Sequence, residues 1–93
     1  MAAKFKRRIK REMGAEKPTL WIGKGGATTQ IMEEVSRQLD QREMVKIKAL
    51  KSALKDEEAE AMAEKIAHET EATLIDVRGH TIVLYRQRKR GRS

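Results

Sequence analysis

Three glycines and one lysine fill residues 23–26, between a short apolar run and an amphipathic segment. Glycine lets the backbone turn through positive φ and come closer to a partner than any side chain would allow. A helix beginning just after such a loop offers unpaired N–H groups and the positive end of its dipole, which together favour an anion such as phosphate. A tight strand-to-helix turn without a ligand would have the same sequence. The candidate contact residues here are Gly23, Lys24, Gly25, Gly26 and Thr28.

The net charge of +7 is distributed unevenly along the 93 residues. Residues 1–14 carry a net +5 and residues 86–93 carry another +5, whereas the stretch between them has more acids than bases. Basic arms on a mildly acidic globular part are typical of polyanion-binding proteins, although charged tails without a defined partner are the alternative. The arm residues expected to contact the polyanion are Lys6, Arg7, Lys10, Arg11, Arg86, Arg88, Lys89 and Arg90.

Several kinds of site are excluded or disfavoured by the composition. The chain has no cysteine, which rules out disulfides and cysteine-based zinc or iron–sulfur sites. Neither His68 nor His80 has a partner at the spacing of a metal site or a catalytic triad. No apolar run reaches the roughly 20 residues of a membrane span, and no secretory signal is recognisable. We therefore expect a cytoplasmic monomer that is not an enzyme, has no metal or cofactor, and binds neither a membrane nor a small-molecule substrate.

The elements that must position the loop follow from hydrophobic periodicity. Helices are predicted for residues 2–13, from Thr28 to a turn at 40–42, and after an N-cap at Asp56; strands are predicted for 20–22, 44–50, 73–78 and 81–86. Gly79-His80 suits a two-residue hairpin turn between the last two strands. The order αβαβαββ predicts an α/β (α+β) fold in one compact domain, residues 1–93, with a mixed four-stranded sheet covered by helices.

The same periodicity assigns side chains to faces. Phe5, Ile9 and Met13 recur at i, i+4 and i+8, a narrow stripe that suits docking onto the domain better than insertion into lipid. In the second predicted strand, Lys46 and Lys48 point away from the apolar face, as a contact surface or as a solvated edge. The three aromatic residues are too few for a base-stacking platform. We expect Trp21 to be mostly core and Tyr85 to be packed, with its hydroxyl at the surface.

Three blocks of the sequence together resemble the CRM domain, named for chloroplast RNA splicing and ribosome maturation. They are GKGG after LWI, EMVKIK at residues 43–48 and TIVLYR at 81–86, and the likeness covers roughly residues 17–86. Stand-alone bacterial and archaeal members of that family are the YhbY-like proteins. The resemblance implies a fold similar to the C-terminal domain of a translation initiation factor. It also implies that the G-K-x-G loop contacts RNA, as the GXXG loop of KH domains does.

Carried over by position, the resemblance assigns RNA contact to residues 23–26, Lys46 and Lys48. This chain departs from the family pattern at two places. Glu71 stands where the family usually has a glycine after the third helix. The third loop position, Gly25, is itself glycine, which predicts a more mobile loop.

The expected function is binding of structured RNA through the G-K-x-G loop and the basic arms. The resemblance implies a role in ribosome (large-subunit) assembly or RNA processing, with ribosomal RNA or a precursor ribosomal particle as the partner. The residues themselves favour phosphate contacts and recognition of backbone shape over sequence. The alternatives are an architectural DNA-binding protein of the Alba type, which has a similar α/β topology, and a ribosomal or protein–protein adaptor whose tails thread into RNA.

Overall fold

The structure is a computed structural model that describes residues 3–54 and 58–87. Its elements are α1 (Ala3–Gly14), β1 (Leu20–Ile22), α2 (Thr29–Arg42), β2 (Met44–Ala49), a 3-10 turn (Lys51–Leu54), α3 (Ala59–Glu69), β3 (Thr73–Arg78) and β4 (Thr81–Tyr85). The predicted order αβαβαββ is confirmed. The two-residue turn at Gly79-His80 is confirmed as well, with Gly79 at a φ of 59°.

The four strands form one mixed sheet in the order β1-β2-β4-β3. β1 is an edge strand and pairs in parallel with β2, whereas β2 with β4 and β4 with β3 are antiparallel pairs. Backbone hydrogen bonds from Thr19 to Lys46 (2.9 Å) and from Leu50 to Ile22 (2.8 Å) extend the β1–β2 ladder at its two ends. Because β1 and β2 are parallel, the chain must cross over between them, and α2 supplies that crossover.

The larger core lies between one face of the sheet and helices α2 and α3. Val45, Ile47 and Ala49 are buried on this face, as the alternation in the sequence predicts. They pack with other fully buried residues of the sheet and of the two helices: Ile22, Ile82, Leu84, Val35, Leu39, Met62 and Ile66. Burial of these apolar side chains is the main source of the stability of the domain.

Helix α1 covers part of the opposite face. Ile9 and Met13 are buried against Ile75 and Val83. The ring of Phe5 meets Tyr85 edge-on, with centroids 5.1 Å apart, and the predicted docking stripe is therefore confirmed. Among the described residues no helix combines the length and the apolar character needed to cross a membrane.

A β-bulge in β3 adapts the sheet to α1. Leu74 pairs with Leu84 and Asp76 pairs with Val83, so that Ile75 is the extra residue. A bulge changes the alternation of side chains between the two faces. As a result Ile75 packs in the α1 layer, and the Asp76 carboxylate, also on that side, lies 3.7 Å from the ammonium of Lys10.

Two helix boundaries differ from the predictions. The predicted turn at residues 40–42 is wrong, because α2 continues to Arg42 and ends at Glu43, whose φ is 67° and whose N–H donates to the oxygen of Leu39 at 2.8 Å. No glycine or proline lies in that stretch to break the helix. Helix α3 begins at Ala59 with Glu58 at the N-cap position. The predicted cap, Asp56, lies outside the described residues.

The end of α3 is a Schellman motif with a glutamate in the left-handed position. The N–H of Ala72 donates to the oxygen of Ala67 at 2.8 Å, and the N–H of Glu71 donates to that of His68 at 3.2 Å. These two bonds define the motif, whose left-handed residue is usually glycine. Glu71 occupies that position with a φ of 56°. The departure from the family pattern therefore leaves the cap geometry intact.

Candidate nucleic-acid interface

The loop between β1 and α2 is a hydrogen-bonded β-turn. The N–H of Gly26 donates to the oxygen of Gly23 at 3.0 Å, which closes the four-residue turn. Gly25, at the third position, has a φ of 102°, a value that only glycine adopts readily. Lys24 occupies the second position and its side chain is exposed. The turn thus holds the lysine at the outer surface of the loop.

The loop leads directly into the N-terminus of α2. Thr28 is the N-cap residue, and its side-chain oxygen accepts a hydrogen bond from the N–H of Ile31 at 3.3 Å. The first turn of α2 contains no acidic residue to neutralise the positive end of the helix dipole. The amides of Thr29 and Gln30, ahead of Ile31, have no acceptor within the helix. Lys24 and these amides together form a surface suited to an anionic group.

The predicted contact residues of β2 have different surroundings. The ammonium of Lys46 donates to the carbonyl oxygens of Met13 at 2.7 Å and Glu16 at 2.8 Å, so that it holds the C-terminal end of α1. Lys48 is exposed on the same face. Within residues 3–54 and 58–87 its side chain takes part in no hydrogen bond or ion pair, while its backbone is paired in the sheet with Trp21 and Thr81. Lys48 is thus available to a partner, whereas Lys46 is engaged inside the domain.

Arg86 is occupied by the protein itself. Its guanidinium donates to the carbonyl oxygens of Thr70 at 2.7 Å and Ser36 at 2.8 Å, and to the carboxylate of Asp40 at 2.7 Å. The side chain is only 21% exposed. Arg86 therefore joins the end of α3 to the last turns of α2, and its guanidinium is engaged within the domain.

Some of the other predicted arm residues lie within the described part of the chain and some lie outside it. Arg7 and Arg11 are exposed on α1, Lys6 is half-buried there, and Lys10 lies beside Asp76. Arg88, Lys89 and Arg90 lie outside the described residues. The N-terminal arm is therefore a helix docked on the sheet, with most of its cationic side chains at the surface.

Trp21 does not lie in the core, and that prediction is wrong. Its side chain is 53% exposed. On the three-residue β1, the buried Ile22 faces α2 and α3, and alternation then turns Trp21 to the opposite face. It pairs there with Lys48, in a part of the sheet that α1 does not cover. The alternation of LWI indicated the face on which Trp21 lies, whereas its exposure there depends on how far α1 extends across the sheet.

Tyr85 behaves as predicted in its packing. It is half-buried and belongs to the layer between α1 and the sheet. His68 and His80 are both exposed. Among residues 3–54 and 58–87, no group of three or more His, Cys, Asp or Glu side chains could hold a metal ion.

One carboxylate near the start of β1 has a perturbed pKa. Gln38 of α2 donates to the carboxylate of Glu34 at 3.0 Å and to the carbonyl oxygen of Thr19 at 3.3 Å. Two hydrogen bonds lower the pKa of Glu34 below its ordinary value; the one from Gln38 has the larger effect and the one from Arg37 the next. This cluster joins α2 to the residue before β1, at the opposite end of the strand from the loop.

Known proteins share both the sequence pattern and the fold. The model of the CRS1/YhbY (CRM) domain matches residues 1–86. The Probable RNA-binding protein MJ0652 of Methanocaldococcus jannaschii is 36% identical over 89 residues, which cover 96% of this chain and 66% of that protein. The Probable RNA-binding protein YqeI of Bacillus subtilis is 27% identical over 89 residues, which cover 96% of this chain and 91% of that protein.

A solved structure has the same architecture. The solution structure of the hypothetical protein SAV1595 from Staphylococcus aureus superimposes with a TM-score of 0.78 and 28% sequence identity, over 99% of this chain and 94% of that one. The family match covers the four-stranded sheet and helices α1 to α3 of the described residues. The chain belongs to the CRS1/YhbY (CRM) domain family.

Proposed function

We propose that this protein binds structured RNA through the loop at residues 23–26, the N-terminus of α2 and the basic surface of α1. The observation that carries the proposal is the β-turn that holds Lys24 at the surface, directly before a helix N-terminus without acidic residues. Such a surface suits the phosphates of a nucleic-acid backbone. The names of the two relatives, both of them probable RNA-binding proteins, support RNA as the partner.

The finer proposal is a role in assembly of the large ribosomal subunit or in RNA processing. The partner would be ribosomal RNA or a precursor ribosomal particle, met by a cytoplasmic, monomeric protein. Support comes from the CRM family resemblance and from the net charge of +7. Phosphate contacts without base contacts recognise the shape of a folded RNA. The architectural DNA-binding alternative receives no support from the family match or from the relatives.

The test is a comparison of RNA and DNA binding over a range of salt concentrations. Anisotropy of labelled ribosomal RNA fragments and of duplex DNA of equal length would be measured at several points between about 50 and 200 mM salt, where purely electrostatic binding fades. We expect RNA to be bound more tightly than DNA at the upper end of this range. Equal, steeply salt-dependent affinity for both would contradict the proposal and favour a general polyanion binder.

A variant pair would connect the binding to the loop. Lys24→Gln should weaken RNA binding modestly and lower the slope of log affinity against log salt by about one unit, as expected for one lost phosphate contact. Lys17→Gln is the matched control, because Lys17 is also exposed but lies before β1, at its opposite end. An equal effect of the two substitutions would show that the loop has no special part in binding.

A further inference from the structure

The register of the sheet aligns four side chains in one row on the face that carries α1. Trp21 of β1 pairs with Lys48 of β2, Lys48 pairs with Thr81 of β4, and Thr81 pairs with Arg78 of β3. Residues directly opposite one another on neighbouring strands project to the same face. The row crosses all four strands, and at a strand spacing of about 4.8 Å it is roughly 14 Å long.

Helix α1 leaves this row uncovered. The neighbouring row contains Lys46 and Val83, which lie under α1 or contact its end. Gly14 ends the helix before the next row is reached. A shallow groove runs from Lys10 and Gly14 of α1 to Arg78 and Thr81 of the row. Trp21, Lys48 and Arg78 are consequently exposed, and Thr81 is half-buried.

The row is adjacent to the loop. The parallel strands β1 and β2 both have their C-terminal ends beside this row. Trp21 is the penultimate residue of β1 and precedes Gly23 of the loop by two residues. Leu50 continues the line from Lys48, is 40% exposed, and has its Cδ1 atom 3.8 Å from where a Cβ on residue 23 would lie. Exposed apolar surface therefore connects the row with the glycine loop.

From this arrangement we propose that the Trp21–Lys48–Thr81–Arg78 row binds an unpaired segment of RNA, with a base stacked on the indole of Trp21 and phosphates on Lys48 and Arg78. The inference rests on the proposed function and adds to it a single-stranded element beside the phosphate-binding loop. An indole stacks on any base, because every base has a π-face. Two cations and no acid lie in the row, which suits an anionic strand and disfavours a basic protein surface.

The side chains of the row would contribute to RNA binding in different ways. The indole supplies stacking energy without sequence preference, whereas the ammonium of Lys48 and the guanidinium of Arg78 supply salt-dependent attraction. Thr81 lies between the two cations and offers a hydroxyl as hydrogen-bond donor or acceptor. Duplex RNA keeps its bases stacked on one another, so the indole gains a partner only where a base is unpaired.

The experiment uses the fact that Trp21 is the only tryptophan of the chain. Its emission would be followed while the full chain is titrated with a single-stranded RNA, and separately with a blunt duplex RNA of equal length. Binding itself would be followed by anisotropy of the same RNAs carrying a dye. We expect the single strand to quench the emission and to protect it from iodide, and the duplex to bind with little change in emission.

Two variants separate stacking from simple burial. Trp21→Phe keeps an aromatic face and should retain most of the affinity for the single strand. Trp21→Leu keeps apolar bulk but has no π-face, and should lose roughly 5- to 150-fold in affinity for the single strand. Duplex binding should be nearly the same in both variants. Because the side chain is half exposed, neither change is expected to unfold the protein.

The outcomes distinguish this inference from the proposed function. Binding of both RNAs without a change in Trp21 emission would overturn the stacking inference and leave RNA binding in place. Equal quenching by the duplex would overturn it as well, since the proposed site requires an unpaired base. Emission that changes with protein concentration alone, together with a dimer mass in sedimentation, would assign the face to a second copy of the chain. No binding of either RNA by the parent would refute the proposed function itself.

Discussion

The ammonium nitrogen of Lys46 lies 2.7 Å from the carbonyl oxygen of Met13, in the last turn of α1. A second bond, to the oxygen of Glu16 at 2.8 Å, fixes the chain just after the helix. A helix leaves its last carbonyl groups without partners, and a cation at that end also interacts favourably with the dipole. Lys46 of β2 therefore holds the C-terminal end of α1 against the sheet through two hydrogen bonds.

Lys46→Met should destabilise the fold more than it affects RNA contact. The substitution keeps the apolar stem but removes both hydrogen bonds, and we expect the free energy of unfolding to fall by about 1–2 kcal/mol. Lys48→Met is the matched control, because Lys48 is exposed two residues further along the same face; it should weaken RNA binding at nearly unchanged stability. Urea unfolding followed by circular dichroism, with anisotropy for binding, measures both. A Lys46→Met variant of parental stability but reduced affinity would show that its ammonium contacts RNA.

Arg86 should be essential to the packing of two helix ends. Replacing it with methionine removes the guanidinium hydrogen bonds to the carbonyl oxygens of Ser36 and Thr70, and we expect a loss of about 2–3 kcal/mol in unfolding free energy. Arg86→Lys should recover little of this loss, because an ammonium cannot reproduce the planar fork of donors.

Asp40→Asn is the control for this interpretation of Arg86. The side chain of Asp40 is 72% exposed, so that its ion pair with Arg86 should contribute no more than about 0.5 kcal/mol. A loss as large as that of Arg86→Met would mean that the charge pair, and not the two carbonyl contacts, stabilises this region. Both changes in stability can be read from urea unfolding curves.

The glycines of the loop should differ in their tolerance of a side chain. Gly25 and Gly26 have φ values of 102° and 69°, so that alanine at either position is strained. An added Cβ at Gly26 would meet the methyl group of Met62 at 3.9 Å, and at Gly23 it would meet ordinary van der Waals neighbours. We expect Gly25→Ala to impair RNA binding, and bulkier residues at Gly25 or Gly26 to do so more strongly, because they block close approach of the backbone.

Gly23→Ala serves as the comparison within the same turn, since its φ carries no such strain and the new methyl group would make only ordinary van der Waals contacts, with Leu50 at 3.8 Å and Ser52 at 3.9 Å. It should fold like the parent. Nuclear magnetic resonance spectra would establish the fold of each variant before affinities are compared. A Gly26 variant that folds normally and binds RNA as well as the parent would refute the role of the loop.

Glu71 offers a stabilising substitution. Its left-handed backbone at the end of α3 is unfavourable for a residue with a Cβ, and Glu71→Gly should raise the unfolding free energy by about 1 kcal/mol. Glu71→Ala removes the same carboxylate but keeps the Cβ, and it should give no comparable gain. Thermal unfolding of the three proteins decides the matter; equal stabilisation by alanine would attribute the effect to charge.

The sequence was sufficient to predict the fold because each element had a strong local signal. The alternation of residues 44–49 and the turn at Gly79-His80 predicted β2 and the hairpin, and both are confirmed. The end of α2 was missed because it depends on Glu43 adopting a positive φ. A glycine in the sequence indicates such a conformation, whereas a glutamate does not. The bulge at Ile75 was also invisible, since it is set by the fit between β3 and α1.

The environment of the candidate site residues was harder to predict. Residue type identified Lys46, Lys48 and Arg86 as cations but could not distinguish an ammonium bound to helix carbonyls from one facing solvent. That difference depends on contacts between residues 33 positions apart for Lys46 and 50 apart for Arg86. The exposure of Trp21 has a similar origin, because it depends on how far α1 extends across the sheet.

Helix α1 has a charge arrangement that opposes its own dipole. Its first turn contains no acid, and Lys4 and Lys6 place positive charge at the end where the backbone is already positive. A polyanion bound there would offset both charges and favour the helical, docked state. Binding and docking are then thermodynamically linked, each strengthening the other by the same free energy. Helix α1 would thus act as a structural reporter of occupancy, gaining protection from hydrogen exchange when an anionic partner is bound.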